Sequence, residues 1–208
     1  MVARVRRWES HRVEIMLVQC DRCGREAPSY EAVSYGSMDD GYEQLCGRCF
    51  NAEIATVAGL DDFEHVEFKP VRLTDSEGKP HEFHLRTHLF GTGVALDAFE
   101  VREDGPAGYQ FQIIGEPEED LLALLGRLIE KIRRALAMKH LVKTEHGLQI
   151  GDAGIIRGLI ESDVTQDLRT PLLVIDGREI SWEKFGQMLM TFEGFQFKME
   201  IRDRSEEC

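Results

Sequence analysis

At 208 residues and 42% hydrophobic content, the chain is long enough for one or two domains with a true core. Its formal net charge of −13 argues against binding phosphate backbones or anionic lipid through a broad face. No apolar run approaches the roughly 18 residues of a membrane span, and the arginine-bearing start lacks the apolar stretch of a signal peptide, so no membrane association and a cytoplasmic address are expected.

The charge is uneven. Residues 1–58 hold seven Lys/Arg and nine Asp/Glu, and residues 59–208 hold 18 and 29, so repulsion of anionic partners falls mainly on the C-terminal part. Arg4, Arg6, Arg7 and Arg12 open the chain. Solvation or pairing with acids is the plain reading of such a cluster, and a nucleic-acid contact through this N-terminal segment is the sharper alternative. Val13, Ile15 and Leu17 alternate with Glu14, which predicts a strand over 12–18.

Four cysteines follow in two Cys-x-x-Cys pairs, Cys20/Cys23 and Cys46/Cys49, separated by 22 residues. Two such pairs can place four thiolates around one Zn²⁺, a closed tetrahedral shell of the structural kind. Gly24 sits where a knuckle needs positive φ. Strands are expected over 29–35 and 42–45 around the turn-rich stretch 36–41, so a hairpin returns the second pair to the first. A helix is expected over 47–57, with Phe50, Ile54 and Val57 on one stripe. Its positive end favours thiolates. Three other readings stand beside structural zinc. Disulfides would require an oxidising compartment. Redox catalysis by Cys46-Gly-Arg-Cys49 would leave Cys20 and Cys23 unexplained. Catalytic zinc would need an open position or a non-cysteine ligand.

An acidic connector at 60–64 ends the finger, which gives expected units of 1–58 and 59–208. Val66, Phe68 and Val71 predict a strand, and residues 75–80 a turn. His81–Phe90 alternates, with Phe83, Leu85 and Leu89 on one side and His84, Arg86 and His88 on the other. Strands at 94–101 and 109–114 complete an antiparallel meander. A long helix is expected over 117–140, opened by Pro117 and acids, with Leu121, Leu125, Leu128, Ile132 and Ala135 on one face. Lys131, Arg133, Arg134, Lys139 and His140 crowd its far half, as solvated compensation of the helix dipole or as a small basic docking face.

Residues 144–151 read as a connector, and 155–160 as a strand. Residues 172–175 and 178–180 form a hairpin across Asp176-Gly177. Ser181 is a candidate N-cap for a helix over 181–193, which Gly194 stops. Phe195, Phe197, Met199 and Ile201 alternate through a final strand. Cys208 reads as a free terminal thiol.

The candidate for reactivity outside the finger is the His84/Arg86/His88 face, which a metal-dependent enzyme could use. Strand periodicity argues instead for a solvated face, and the histidine spacing lacks the His-Glu-x-x-His order of metalloproteases. No Gly-x-Ser-x-Gly elbow and no phosphate-cradling Gly-rich loop occurs, and no catalytic residue is assigned.

The stretch Val174-Ile-Asp-Gly-Arg-Glu-Ile-Ser-Trp through Phe195-Gln-Phe-Lys-Met-Glu-Ile201 resembles the C-terminal part of uncharacterised bacterial proteins with a paired-cysteine finger in front. The finger resembles treble-clef modules, which serve protein binding, nucleic-acid binding and scaffolding. The expected fold class is α+β: a small four-cysteine zinc finger before an antiparallel-sheet body with two main helices. The expected function is a cytoplasmic adaptor with structural zinc and a protein partner. The oligomeric state is left open.

Overall fold

The computed structural model describes residues 16–39, 41–60, 62–102, 105–163, 165–166 and 168–206. The N-terminal arginines, Cys208 and the first part of the strand expected over 12–18 lie outside the described residues.

The finger begins with β1 (Leu17–Gln19) paired antiparallel to β2 (Glu26–Pro28), and the turn between them carries Cys20 and Cys23. Gly24 takes φ 70°, and its N–H returns to the Cys20 carbonyl at 2.9 Å. A second hairpin pairs β3 (Val33–Ser37) with β4 (Gly41–Leu45). The strand expected over 29–35 starts only at Val33, because the N–H groups of Glu31 and Ala32 close turns onto Pro28 and Ser29. Helix α1 (Gly47–Ala58) follows and stops at Gly59, whose left-handed φ of 69° sends its N–H back to Ala55 and Thr56.

The central sheet runs in the order β5 (Val71–Thr74), β6 (Pro80–Phe90), β7 (Gly93–Arg102), β8 (Gly105–Gly115), all antiparallel, as the meander predicts. Val66 and Phe68 pack against the core without joining a strand. One face of the sheet buries Phe83, Leu85 and Leu89 of β6 with Leu96 and Ile113 against α2 (Leu121–Leu136). On α2, Leu124, Leu128, Ile132 and Leu136 are buried one turn apart, each contributing about 1.5–3 kcal/mol.

Helix α2 is shorter than the span of 117–140 expected from its pattern. Asp120, not Pro117, caps the N-terminus, its carboxylate accepting from the Leu122 N–H at 2.9 Å. At the other end, the N–H groups of His140 and Leu141 are claimed by the Asp176 carboxylate, so the helix cannot extend through them.

The C-terminal part holds a hairpin of β9 (Leu141–Thr144) and β10 (Gly147–Ile150), where the sequence reading places only a connector. A three-stranded sheet of β11 (Gly158–Ser162), β12 (Pro171–Ile175) and β13 (Arg178–Ser181) leads into α3 (Trp182–Leu189) and a 3₁₀ turn, Met190–Phe192. Asp176 and Gly177, at φ 50° and 67°, form the tight turn expected of Asp-Gly. The Ser181 hydroxyl accepts from the Lys184 N–H, as its N-cap role predicts. The final strand expected over 195–201 does not form. Sheet structure needs a second row of backbone groups, and among the described residues no backbone–backbone hydrogen bond joins residues 196–201 to another segment.

Three cores result: one in the finger, one between the central sheet and α2, and one in the C-terminal part. They are connected. Ala55 of α1 belongs to the central core, Arg102 Nη2 donates to the Gly177 carbonyl at 2.8 Å, and Gln110 donates to Glu161.

Candidate metal centre

The four cysteines converge. Their sulfurs all lie within 4.8 Å of one another, and Cys23 and Cys46 are 3.8 Å apart. A Zn–S bond of about 2.3 Å places tetrahedral sulfurs about 3.8 Å apart, so the cluster is near the size a metal ion imposes. It is also far too open for disulfides, whose sulfurs bond at about 2.05 Å.

Each cysteine is placed by its own element. Cys20 and Cys23 flank the turn between β1 and β2, and that turn is held to the second hairpin by Asp21, whose N–H donates to the Gln44 carbonyl while its carboxylate accepts from the Gln44 N–H. Cys46 stands at the N-cap of α1 and Cys49 in the first turn. Cys20 and Cys46 are buried, Cys49 is half-buried and Cys23 is exposed, so the cluster lies under one edge of the finger.

The electrostatics favour a cation. Burial works against the Cys20 thiolate, but N–H groups of Cys46, Cys23 and Arg22 and the Cys23 thiol outweigh it and bring its pKa down to about 6. Cys46 and Cys49 are pushed up, first by burial and then by the sulfurs crowded against them. Four thiols this close cannot all ionise by themselves. A divalent ion at their centre removes that conflict, and a shell of four sulfurs leaves no position for a reacting water.

The His84/Arg86/His88 face is only partly solvated, where the sequence reading has it open to water. The three residues do share one side of β6, but the finger covers it. His84 packs edge-on to Tyr30, with ring centroids 6.4 Å apart, and stacks on Phe99. His88 meets Phe50 of α1 at 4.6 Å. Arg86 donates to Asp97 at 2.8 and 3.1 Å and to the Tyr30 carbonyl at 2.9 Å. Periodicity shows which side chains share a face, not what lies on top of it. His81 turns to the opposite side, where its two ring nitrogens meet Glu100 at 2.8 Å and Asp75 at 3.2 Å.

The cations assigned to the far half of α2 are also engaged by the chain itself. Lys131 reaches the carbonyls of Gln112, Arg204 and Glu206, Arg133 pairs with Glu130, and Lys139 pairs with the buried Asp75 at 2.7 Å. They do not form an open basic face.

Sequence reasoning missed Asn51. Fully buried on α1, it donates to the Thr87 carbonyl at 2.9 Å, accepts from the Leu89 N–H at 2.9 Å and meets His65 Nδ1 at 2.9 Å. The one available signal was an amide, a poor helix former, amid an apolar stripe. Beside it opens a cleft of about 440 Å³ lined by Arg25, Arg48, His65, Glu64 and Glu67. Its two arginines are matched by two glutamates.

Three family profiles match the chain in succession, each of a domain of unknown function: DUF7685 over residues 19–61, DUF7686 over 64–137 and DUF7713 over 140–206. The first takes in all four cysteines. No curated protein and no solved structure matches the chain.

Proposed function

We propose that Cys20, Cys23, Cys46 and Cys49 hold one structural Zn²⁺ in a treble-clef-like finger over residues 1–58, and that the protein is a cytoplasmic binding or adaptor protein whose α+β body spans 59–208. The observation that carries the metal assignment is the closed four-sulfur cluster. The order of knuckle, hairpin and helix supports the treble-clef likeness. Support for a binding role comes from the way the finger is used: its helix is fixed against the central sheet, so the ion would stabilise a shared surface rather than a reaction centre. No helix among the described residues is long and apolar enough to cross a membrane.

The metal-enzyme alternative loses its residues, since His84, Arg86 and His88 are committed to the contact between finger and sheet. A protein partner is favoured over nucleic acid on charge. Metal analysis of the purified chain tests the first half of the proposal: one zinc per chain is expected, and a Cys23→Ser variant should lose it. Unchanged metal content in that variant would refute the site. Salt-dependent retention of nucleic acid, abolished by replacing the N-terminal arginines, would replace the protein-binding reading with the nucleic-acid one.

A further inference from the structure

Residues 195–201, Phe-Gln-Phe-Lys-Met-Glu-Ile, carry four exposed apolar side chains. Phe195, Phe197, Met199 and Ile201 are 75%, 87%, 64% and 72% exposed. Among the described residues, no backbone–backbone hydrogen bond reaches residues 196–201. Yet the segment is held at both ends. Phe192 packs against the C-terminal core, and beyond Ile201 the Arg204 guanidinium reaches Asp97 and Gln110 while Lys131 takes the Arg204 and Glu206 carbonyls. A strand-like alternation pinned at both ends, with its backbone unpaired, is open to pairing with a partner strand.

The residues indicate which partner. In an antiparallel pair, opposite residues share a face. A two-fold axis through Met199 would set Lys198 opposite Glu200 of a second copy, twice, and Phe197 opposite Ile201, twice. Moving the axis to Lys198 sets that lysine against itself and Glu193 against Asp203. Moving it to Glu200 sets glutamate against glutamate and Lys198 against Arg202. An axis at Phe197 leaves Glu200 opposite Gly194 and Glu193 opposite Ile201. An axis between residues sets apolar side chains against charged ones. Over its central pairs only the Met199 register sets Lys198 against Glu200 while keeping Phe197 against Ile201, with Phe195 opposite Asp203 at the ribbon's ends.

We propose that the segment 195–201 pairs with its counterpart in a second copy of this chain, as an antiparallel two-stranded ribbon with its two-fold axis at Met199. The Lys198–Glu200 contact within one copy, at 3.7 Å between exposed groups, is easily exchanged for the contact across the axis. Backbone bonds between the strands then satisfy the groups left unpaired in the single chain, and the apolar side chains of both copies gather on one face.

The test is made on the full-length, metal-loaded protein. Sedimentation velocity over a concentration series should show a monomer–dimer equilibrium. Lys198→Glu, and separately Glu200→Lys, should weaken it by about tenfold, and the double exchange should restore it. In a Cys208→Ser background, single cysteines placed in turn at 197, 198, 199, 200 and 201 should give a cross-linked dimer on mild oxidation most readily at 199, the position that faces itself. A monomer at every concentration, a dimer indifferent to the charge exchange, or preferential cross-linking at another position would each overturn the proposal.

Discussion

The Asn51 side chain completes the edge of the central sheet at Leu89. β5 accompanies β6 only from Phe83 back to Pro80, so the far half of β6 turns its outer backbone groups toward α1. There the Asn51 carboxamide offers one acceptor to the Leu89 N–H and one donor to the Thr87 carbonyl, as a neighbouring strand would. The same helix carries Cys49 and is capped by Cys46, so the metal site and the sheet edge share one rigid element.

Asn51→Ala removes both bonds and leaves two backbone groups buried without partners. A loss of about 3 kcal/mol is expected, measured by denaturant unfolding of the metal-loaded protein. An unchanged midpoint would mean that water replaces the amide at no cost.

Removing the metal should loosen α1 and with it this edge. With a chelator, amide exchange at Leu89 is expected to accelerate strongly, while that of Leu96, inside the β6–β7–β8 ladder, changes little. Equal acceleration at both would show that the whole sheet depends on the ion. No change at Leu89 would uncouple finger from sheet.

Asp75 should contribute to the acid limb of stability. Burial alone would raise its pKa, but Lys139, the Lys79 N–H, His81 and the Glu77 N–H together hold it well below the usual carboxylate range. A depressed carboxylate stabilises the fold above its unfolded pKa of about 3.9, and that stabilisation is lost as pH falls through the folded value. Acid unfolding of Asp75→Asn should therefore show a shallower pH dependence below about pH 4. At neutral pH, Asp75→Ala should cost about 3–5 kcal/mol, since it leaves Lys139 with only the exposed Glu77 for a partner and a buried histidine without its carboxylate.

His84 and His88 act in a higher window. Burial lowers the pKa of both, aided at His88 by Arg86, so the folded state prefers them neutral. Below an unfolded value of roughly 6.5 the unfolded chain binds more protons, and stability falls as pH drops from there through the folded values. The melting temperature should decline as pH falls from about 7 through the folded values, and the double variant His84→Gln/His88→Gln should flatten that decline. An identical decline in the variant would assign it to His65, whose pKa burial also lowers, or to the thiol ligands.

Features set by nearby residues were legible in the sequence: the two cysteine pairs, the left-handed Gly24, the Asp176-Gly177 turn, the Ser181 cap and the faces of β6. What depends on distant partners was not. Asn51 acts on residues 36 and 38 positions away, and the cover over His84 and His88 comes from Tyr30 and Phe50. The ends of α2 were misplaced because Asp120 competes with Pro117 as the starting signal and Asp176 removes the last N–H groups. At 195–201 the alternation was visible, but a pattern of side chains does not supply the neighbouring strand.

The turn at Asp176-Gly177 fits against Tyr109 with no room to spare: a Cβ built on Gly177 would lie 2.7 Å from the tyrosine ring. The two positions are therefore coupled sterically. A relative that lets residue 177 gain a side chain must pare down residue 109 or tilt the whole C-terminal lobe away, so substitutions at these sites should drift as a couple across the lineage, and a chimera that mixes them from different ancestors should assemble badly.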